Sequence, residues 1–258
     1  MQTANRLATK RFGGDAVRIG CELVRISSMG LFEWLTRTPN FTHFADHYAL
    51  NRESLFAALK VPIQECLKRS ELVLLLAHFP ECFSEMVTQL DTWQSDYEVV
   101  AAPVDEEWFA ANSHTGKVYL SLAEMVKPFQ TNVQKQTIRS KSSLLKTDGP
   151  QTVSIFVLER HPLLAKDQIL TKTAKRLTSP VRLGYFLSLE DDVLKQLIHE
   201  KLLLLLKQMG LTDQELITSS MLTGRLKKVL SRQRVVENEQ PADSAADWYL
   251  LNSPEEAN

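Results

Sequence analysis

Apolar residues recur at helical spacing along most of the first half of the chain, every third or fourth position, as on one face of an amphipathic helix. The segments with this pattern cover about 16–37, 43–59, 62–78, 81–93 and 105–111. Pro62 is placed as a first-turn residue of the third. A strand is indicated at 117–120, followed by a short helix near 121–134. We therefore expect a mainly helical N-terminal part.

Two segments of the second half have the composition of β-strands. Residues 152–158 (TVSIFVL) are rich in β-branched and aromatic side chains and follow a turn signal at 147–150. In residues 181–188 (VRLGYFLS) apolar side chains alternate with Arg182, Gly184 and Phe186, so one face should be apolar. A polar helix over about 163–176 is expected between the two strands.

Two helix signals follow the second of these strands. The first helix starts at Ser188, runs through five consecutive leucines at 202–206 and ends at Gly210. Because leucines then cover every side, this helix should be surrounded by protein, such as a second copy of the chain. A capping box that begins at Thr212 opens a last helix, which we expect to end near residue 231.

These elements predict an α+β fold that is mainly helical, with a C-terminal strand-helix-helix element like that of ribbon-helix-helix proteins. Residues 1–146 are expected to form the mainly helical domain. Residues 147–236 are expected to form a strand and helix region for DNA binding and dimerisation, and residues 237–258 an acidic flexible tail.

The charges of the chain are segregated although they nearly cancel. Its 258 residues carry 30 Lys and Arg against 31 Asp and Glu, a net charge of −1. Residues 81–130 are acidic, whereas 131–182 hold ten bases against three acids, and 225–234 hold five bases and no acid. Such segregation can create a strong local potential. It indicates an anionic partner, with solvated helix faces as the alternative interpretation.

Motifs that carry chemistry are missing from the sequence. It contains no GxxxxGK[ST] phosphate loop, GxGxxG, HExxH or GxSxG, so we expect no enzyme and no cofactor. His43 and His47 are spaced as on one helix face, but no third ligand stands at a recognised spacing, so no metal site is expected. Three cysteines without a CxxC indicate reduced thiols. With no signal peptide and no membrane-spanning apolar run, a cytoplasmic protein without a membrane partner is expected.

The order strand, helix, helix at 181–231 is typical of ribbon-helix-helix proteins, whose two-stranded ribbon enters the major groove of DNA. In this interpretation Arg182 reads guanine, and Thr212 lies at the helix start that anchors a phosphate. The strand at 152–158 is an alternative ribbon. A structural strand within a mixed domain is the simpler explanation of the same pattern.

Three short segments of the first sixty residues carry a family resemblance: 3–7 (TANRL), 30–32 (GLF) and 44–50 (FADHYAL). They resemble the AcaB-like family of transcriptional activators, which is carried by conjugative plasmids and integrating conjugative elements. The resemblance implies a DNA-binding activator of conjugative-transfer genes that acts through a ribbon-helix-helix element.

The sequence therefore predicts a DNA-binding transcriptional regulator that binds double-stranded DNA as a homodimer or tetramer and contacts RNA polymerase. The alternative is a non-enzymatic helical protein-interaction or assembly subunit without nucleic-acid binding. The candidate DNA-contacting residues, chosen from the basic segments and the strand pattern, are Arg182, Lys135, Arg139, Lys141, Lys146, Lys172, Lys175, Arg176, Thr212, Arg225, Lys227 and Lys228.

Overall fold

The computed structural model describes residues 24–25, 41–112, 116–128, 152–195, 197, 216–233 and 236–252. The strands are β1 Val24–Arg25, β2 Phe41–His43, β3 His47–Ala49, β4 Leu72–Ala77, β5 Tyr97–Val99, β6 Val118–Leu122, β7 Val153–Val157, β8 Val181–Ser188 and β9 Ile217–Thr218. The α-helices are α1 Arg52–Lys68, α2 Pro80–Thr92, α3 Glu106–Asn112, α4 Leu164–Ala174, α5 Asp192–Lys195, α6 Ser220–Leu230 and α7 Ala245–Asn252. A 3-10 turn at Ala123–Met125 follows β6.

The strands form one mixed sheet with a parallel centre. Its order is β1-β9-β3-β8-β7-β4-β6-β5, and β2 also pairs with β8. Every pair from β3 through β8, β7, β4 and β6 to β5 is parallel, whereas β9 is antiparallel to both β3 and β1. Parallel neighbours need long crossover connections, and most of the helices lie in these connections. The result is an α/β architecture.

Strand β4 lies in the middle of the parallel part of this sheet, between β6 and β7. Its sequence LVLLLA is apolar throughout, and all six side chains are buried. A parallel strand covered on both faces has such a continuous apolar run rather than an alternating one. The predicted helix at 62–78 is therefore wrong, because α1 ends at Lys68 with Pro62 inside it and Leu72–Ala77 form β4.

Helices cover both faces of the sheet. On one face, apolar side chains of α1 and α2 pack against β4, β6 and β7, among them Leu55, Leu59, Ile63, Cys82, Met86, Leu90, Val73, Leu75, Leu120 and Phe156. On the other face, α3, α4 and α6 pack against the same strands and β8, among them Phe109, Leu170, Ala174, Leu222, Leu226, Leu230, Leu72, Leu74, Leu76 and Tyr185. The two cores lie on opposite sides of the sheet, which gives three layers.

The expected fold class, mainly helical with a ribbon-helix-helix element, is wrong. The strand predicted at 181–188 is present as β8, but all eight of its residues are buried. It pairs with β7 on one side and with β2 and β3 on the other, so it offers no exposed ribbon to DNA. The predicted leucine helix at 202–206 lies outside the described residues, and β9 lies within the predicted last helix.

The sheet also crosses the expected domain boundary at residue 147. Strands β4 and β6 precede this position, strands β7 and β8 follow it, and all four hydrogen-bond within one sheet. Residues 237–252, which lie in the region expected to be a flexible tail, pack against the sheet through Trp248 of α7, which is 2% exposed. Among the helices that the structure describes, none combines the length and apolar composition needed to cross a bilayer.

Candidate functional site at the carboxyl edge of the sheet

The carboxyl ends of the parallel strands meet at one edge of the sheet. In open α/β sheets, ligands bind outside this edge, near the point where the chain changes direction through the sheet. Here β4 pairs with β6 on one side and with β7 on the other, and both of these strands follow it in the chain. The loops after β4, β6, β7 and β8 line two cavities at this edge. The carboxyl edge is therefore the candidate functional site.

A buried network of charges supports the loop after β7. Arg160, whose side chain is 5% exposed, donates to Asp46 and, over 3.0 Å, to Asp167. Its guanidinium carbon lies 3.3 Å from the centre of the Tyr185 ring, as in a cation–π contact. His78 Nε2 lies 2.8 Å from the other oxygen of Asp167. Because both carboxylates have partners, the network fixes the loops after β4 and β7 against each other.

Glu159 connects the same two loops through the backbone. One carboxylate oxygen accepts the backbone N–H groups of His78 and Phe79, at 2.8 and 2.9 Å. These residues immediately precede α2, whose N-terminal end favours negative charge. Burial raises the pKa of Glu159, although His78 and Arg52 oppose that rise. The protein's own carboxylate thus sits where anions bind at helix starts.

The smaller cavity, of about 230 Å³, is lined by six acidic and three basic side chains, with Arg52 among the bases. Arg52 Nε lies 3.3 Å from Glu85 and 3.5 Å from Asp191. Burial raises the pKa of Asp191 to about 7, against the opposing effect of Arg52. The positive charge at this cavity is therefore already balanced by the protein's own carboxylates.

The larger cavity, of about 540 Å³, lies between the loops after β4 and β6, helix α4 and the chain segment before α7. This volume is within the usual range of about 300–1,000 Å³ for small-molecule sites. Lys127 and Lys166 line it together with aromatic side chains that include Trp248. Lys166 Nζ lies 2.7 Å from Glu239, which also accepts the Trp248 Nε1–H over 2.8 Å. The cavity is also lined by carboxylates, so it combines charges of both signs with an aromatic wall; the acidic residues are Glu124, Glu239 and Asp243.

His161 lies in the wall of the larger cavity, stacked on Phe79 and edge-on to Trp248. Its Nδ1 accepts the Leu163 backbone N–H over 2.9 Å, so its proton is on Nε2, which lies 3.5 Å from Glu239. Burial, with a contribution from His78, lowers the pKa of His161 to about 3. The imidazole is therefore neutral at physiological pH, and its Nε2–H faces Glu239.

The sequence-predicted site residues do not meet at this edge. Arg182 is buried, and its Nη1 donates to Glu71 over 2.7 Å, so a base-reading role for it is wrong. Six others are exposed, three on or just after α4 and three on α6: Lys172, Lys175, Arg176, Arg225, Lys227 and Lys228. Five lie outside the described residues: Lys135, Arg139, Lys141, Lys146 and Thr212. An interaction of these positions with DNA, and self-association, stay predictions.

His43 and His47 are on strands β2 and β3 rather than on one helix face. Within the described ranges, no group of three or more His, Cys, Asp or Glu is arranged to hold a metal ion. Sequence reasoning missed Glu159 and Arg160, although both directly follow the strongest strand signal, where α/β ligand sites form. Their partner loop was missed because β4 was assigned to a helix.

No protein-family model matches the chain. Over 133 residues it is 31% identical to protein translocase subunit SecA 1 of Alkaliphilus metalliredigens. The match covers 52% of this chain but 13% of that protein. In structure, the chain is similar to the C-terminal part of the Fun30 ATPase domain, with 11% identity and a TM-score of 0.34. That likeness covers 67% of this chain and 52% of the other.

The similarity to SecA 1 and the α/β sheet together overturn the expected function of a small DNA-binding activator. The resemblance to the AcaB-like family stays a prediction. About half of the chain is similar to part of a protein translocase subunit. The described residues form a mixed α/β sheet with a cavity at the carboxyl edge of its parallel strands.

Proposed function

We propose that this chain is an ATP-binding α/β domain that serves in a translocase-type assembly. The observation that carries the proposal is the larger cavity at the carboxyl edge, with two lysines and an aromatic wall. The similarity to SecA 1 supports the second half of the proposal, since that protein is a translocase subunit.

The chemistry of the cavity fits the two ends of a nucleotide. Lys127 and Lys166 supply positive charge for phosphate oxygens, and hydrogen bonds between charged groups are about twice as strong as neutral ones. The side chains of Trp248 and Phe79 line the cavity but are only 2% and 3% exposed, so they offer a nucleobase an apolar surface to pack against rather than a free stacking face. The position agrees with the general rule that nucleotides bind at the carboxyl edge of parallel sheets.

A second candidate function is ATP binding without hydrolysis, so that the domain acts as a nucleotide-dependent assembly subunit rather than as an ATPase. This alternative is favoured because both Arg52 and Arg160 are paired with carboxylates of the protein. Arg52 lies against Glu85 and Asp191, and Arg160 donates to two buried aspartates. Arginines stabilise the charge that develops during phosphoryl transfer. These two line the smaller cavity and are engaged by carboxylates, and no arginine is among the described residues that line the larger one.

The test is a titration of the full chain with a fluorescent ATP analogue in the presence of Mg²⁺, with phosphate release measured in parallel. Lys166→Ala should weaken binding roughly 10–100-fold, since a hydrogen bond to a charged group contributes about 1.5–3 kcal/mol. Lys172→Ala is the matched control, because Lys172 is exposed on the same helix and does not line the cavity.

Saturable binding that Lys166→Ala weakens and Lys172→Ala preserves supports the proposal. Binding that both variants retain at wild-type strength places the ligand elsewhere and refutes it, as does a wild-type protein that binds nothing at millimolar analogue. Phosphate release that rises with bound nucleotide rejects the non-hydrolysing alternative.

A further inference from the structure

Resting on the proposed function, we propose that Glu239 is an autoinhibitory anion within the nucleotide cavity. It occupies the position beside Lys166 that a phosphate group of the ligand needs. The nucleotide must therefore displace Glu239, and with it part of the C-terminal strap, defined as residues 236–252, before it can bind.

The contacts of Glu239 are those of a bound anionic ligand. One oxygen lies 2.7 Å from Lys166 Nζ, and the other accepts the Trp248 Nε1–H over 2.8 Å. His161 Nε2 lies 3.5 Å from that second oxygen. Burial alone raises the pKa of Glu239, but the hydrogen bonds from Lys166 and Trp248 outweigh it and lower the pKa. The carboxylate is therefore charged at neutral pH.

The strap places Glu239 in the cavity and forms one of its walls. Residues 239–243 and Trp248 line the cavity together with Lys166. A clasp closes the strap on itself, since the Gln240 N–H donates to Asn252 over 2.6 Å and the Asn252 side chain donates back to the Gln240 carbonyl over 3.0 Å. The backbone of Glu81, at the start of α2, donates to the Asp243 carbonyl over 3.0 Å.

These contacts make Glu239 a tethered competitor of the ligand for Lys166. Lys166 and Glu239 are both partly exposed, with side chains 40% and 24% accessible, so a ligand can reach the pair from solvent. A tethered carboxylate is present at a high local concentration and reduces the apparent affinity for any ligand that needs the same lysine. Release of the strap by a partner would raise the affinity for nucleotide.

Glu239→Gln tests the competition with the smallest change of shape, because the amide oxygen still accepts the Trp248 hydrogen bond. We expect the fluorescent ATP analogue to bind the full chain roughly 5–10-fold more tightly after this substitution. Glu237→Gln is the matched control, because Glu237 is exposed on the same strap and its substitution removes the same charge. In a Lys166→Ala background, Glu239→Gln should give no gain.

Tighter binding by Glu239→Gln alone, abolished in the Lys166→Ala background, supports the inference. Wild-type protein that binds the analogue as strongly as Glu239→Gln overturns the inference and leaves the proposed function intact. An equal gain from Glu237→Gln also overturns it, because the effect is then one of net charge. If neither wild type nor Glu239→Gln binds the analogue, the proposed function itself fails.

Discussion

Arg182 offers a sharp test of the structure, because it was the residue expected to read DNA bases and is instead buried. Its side chain and that of Glu71 are each 5% exposed, and Nη1 donates to the carboxylate over 2.7 Å. Ser154 donates to the second oxygen of Glu71 over 2.8 Å, while Arg69 lies 3.8 Å from the first. Arg182→Met keeps a long apolar side chain but leaves the Glu71 carboxylate without its main partner.

Removal of one partner of a buried ion pair costs about 3–5 kcal/mol. At about 2–4 °C per kcal/mol for a chain of this size, the melting temperature should fall by roughly 6–20 °C. Urea unfolding followed by circular dichroism measures the free energy of unfolding directly. The double variant Glu71→Gln with Arg182→Met should recover part of the loss, because the remaining side chain carries no charge.

The control is Lys172→Met, an exposed residue of α4, which should change the free energy of unfolding by less than about 0.5 kcal/mol. If Arg182→Met matches this control, the buried pair with Glu71 does not exist in solution. A double variant that is no more stable than Arg182→Met would show that the loss comes from packing rather than from the stranded carboxylate.

Two further predictions concern the carboxyl edge and the helix that begins there. The pKa of Asp191 is raised to about 7 by burial, above about 3.9 for an unfolded chain, so the folded state binds the extra proton and stability falls as pH rises between these values. Asp191→Asn should reduce this fall in the free energy of unfolding by up to about 1.4 kcal/mol per pH unit. Urea unfolding at pH 5 and pH 7 measures the difference, and an Asp191→Asn variant with the same pH dependence as wild type would refute the prediction. Asn51 caps α1 by accepting the Ser54 N–H over 2.7 Å, so Asn51→Ala should cost about 1 kcal/mol of stability in the same assay, and a neutral result would exclude the cap.

Local signals in the sequence were sufficient for elements whose character is visible within a few residues. The strands at 153–157 and 181–188 are present where β-branched and aromatic residues predict them. Helix α2 begins at Pro80, one residue before the helix that the pattern predicts at 81–93. These predictions succeed because side-chain periodicity and β-propensity act locally.

Signals that depend on the environment were misread. The apolar run 72–77 fits a buried helix or a buried strand equally well, and only its two parallel neighbours decide for a strand. Arg182 alternates with apolar residues, as an exposed side chain does, but its partner Glu71 is distant in sequence. The charged cluster at the carboxyl edge follows from the sheet order, which no local pattern contains.

The central position of β4 has a consequence for how the chain acquires its structure. Its two neighbours come from residues 118–122 and 153–157, so neither of its edges is closed until much later segments arrive. Such distant pairings are slow to form, because the entropy cost of closing a long loop comes before the stabilising contacts form. In a nascent chain that ends before β7, the apolar strand β4 therefore has an unpaired edge, which can pair with other chains. Productive folding on the ribosome thus depends on shielding of that edge while the remainder is made.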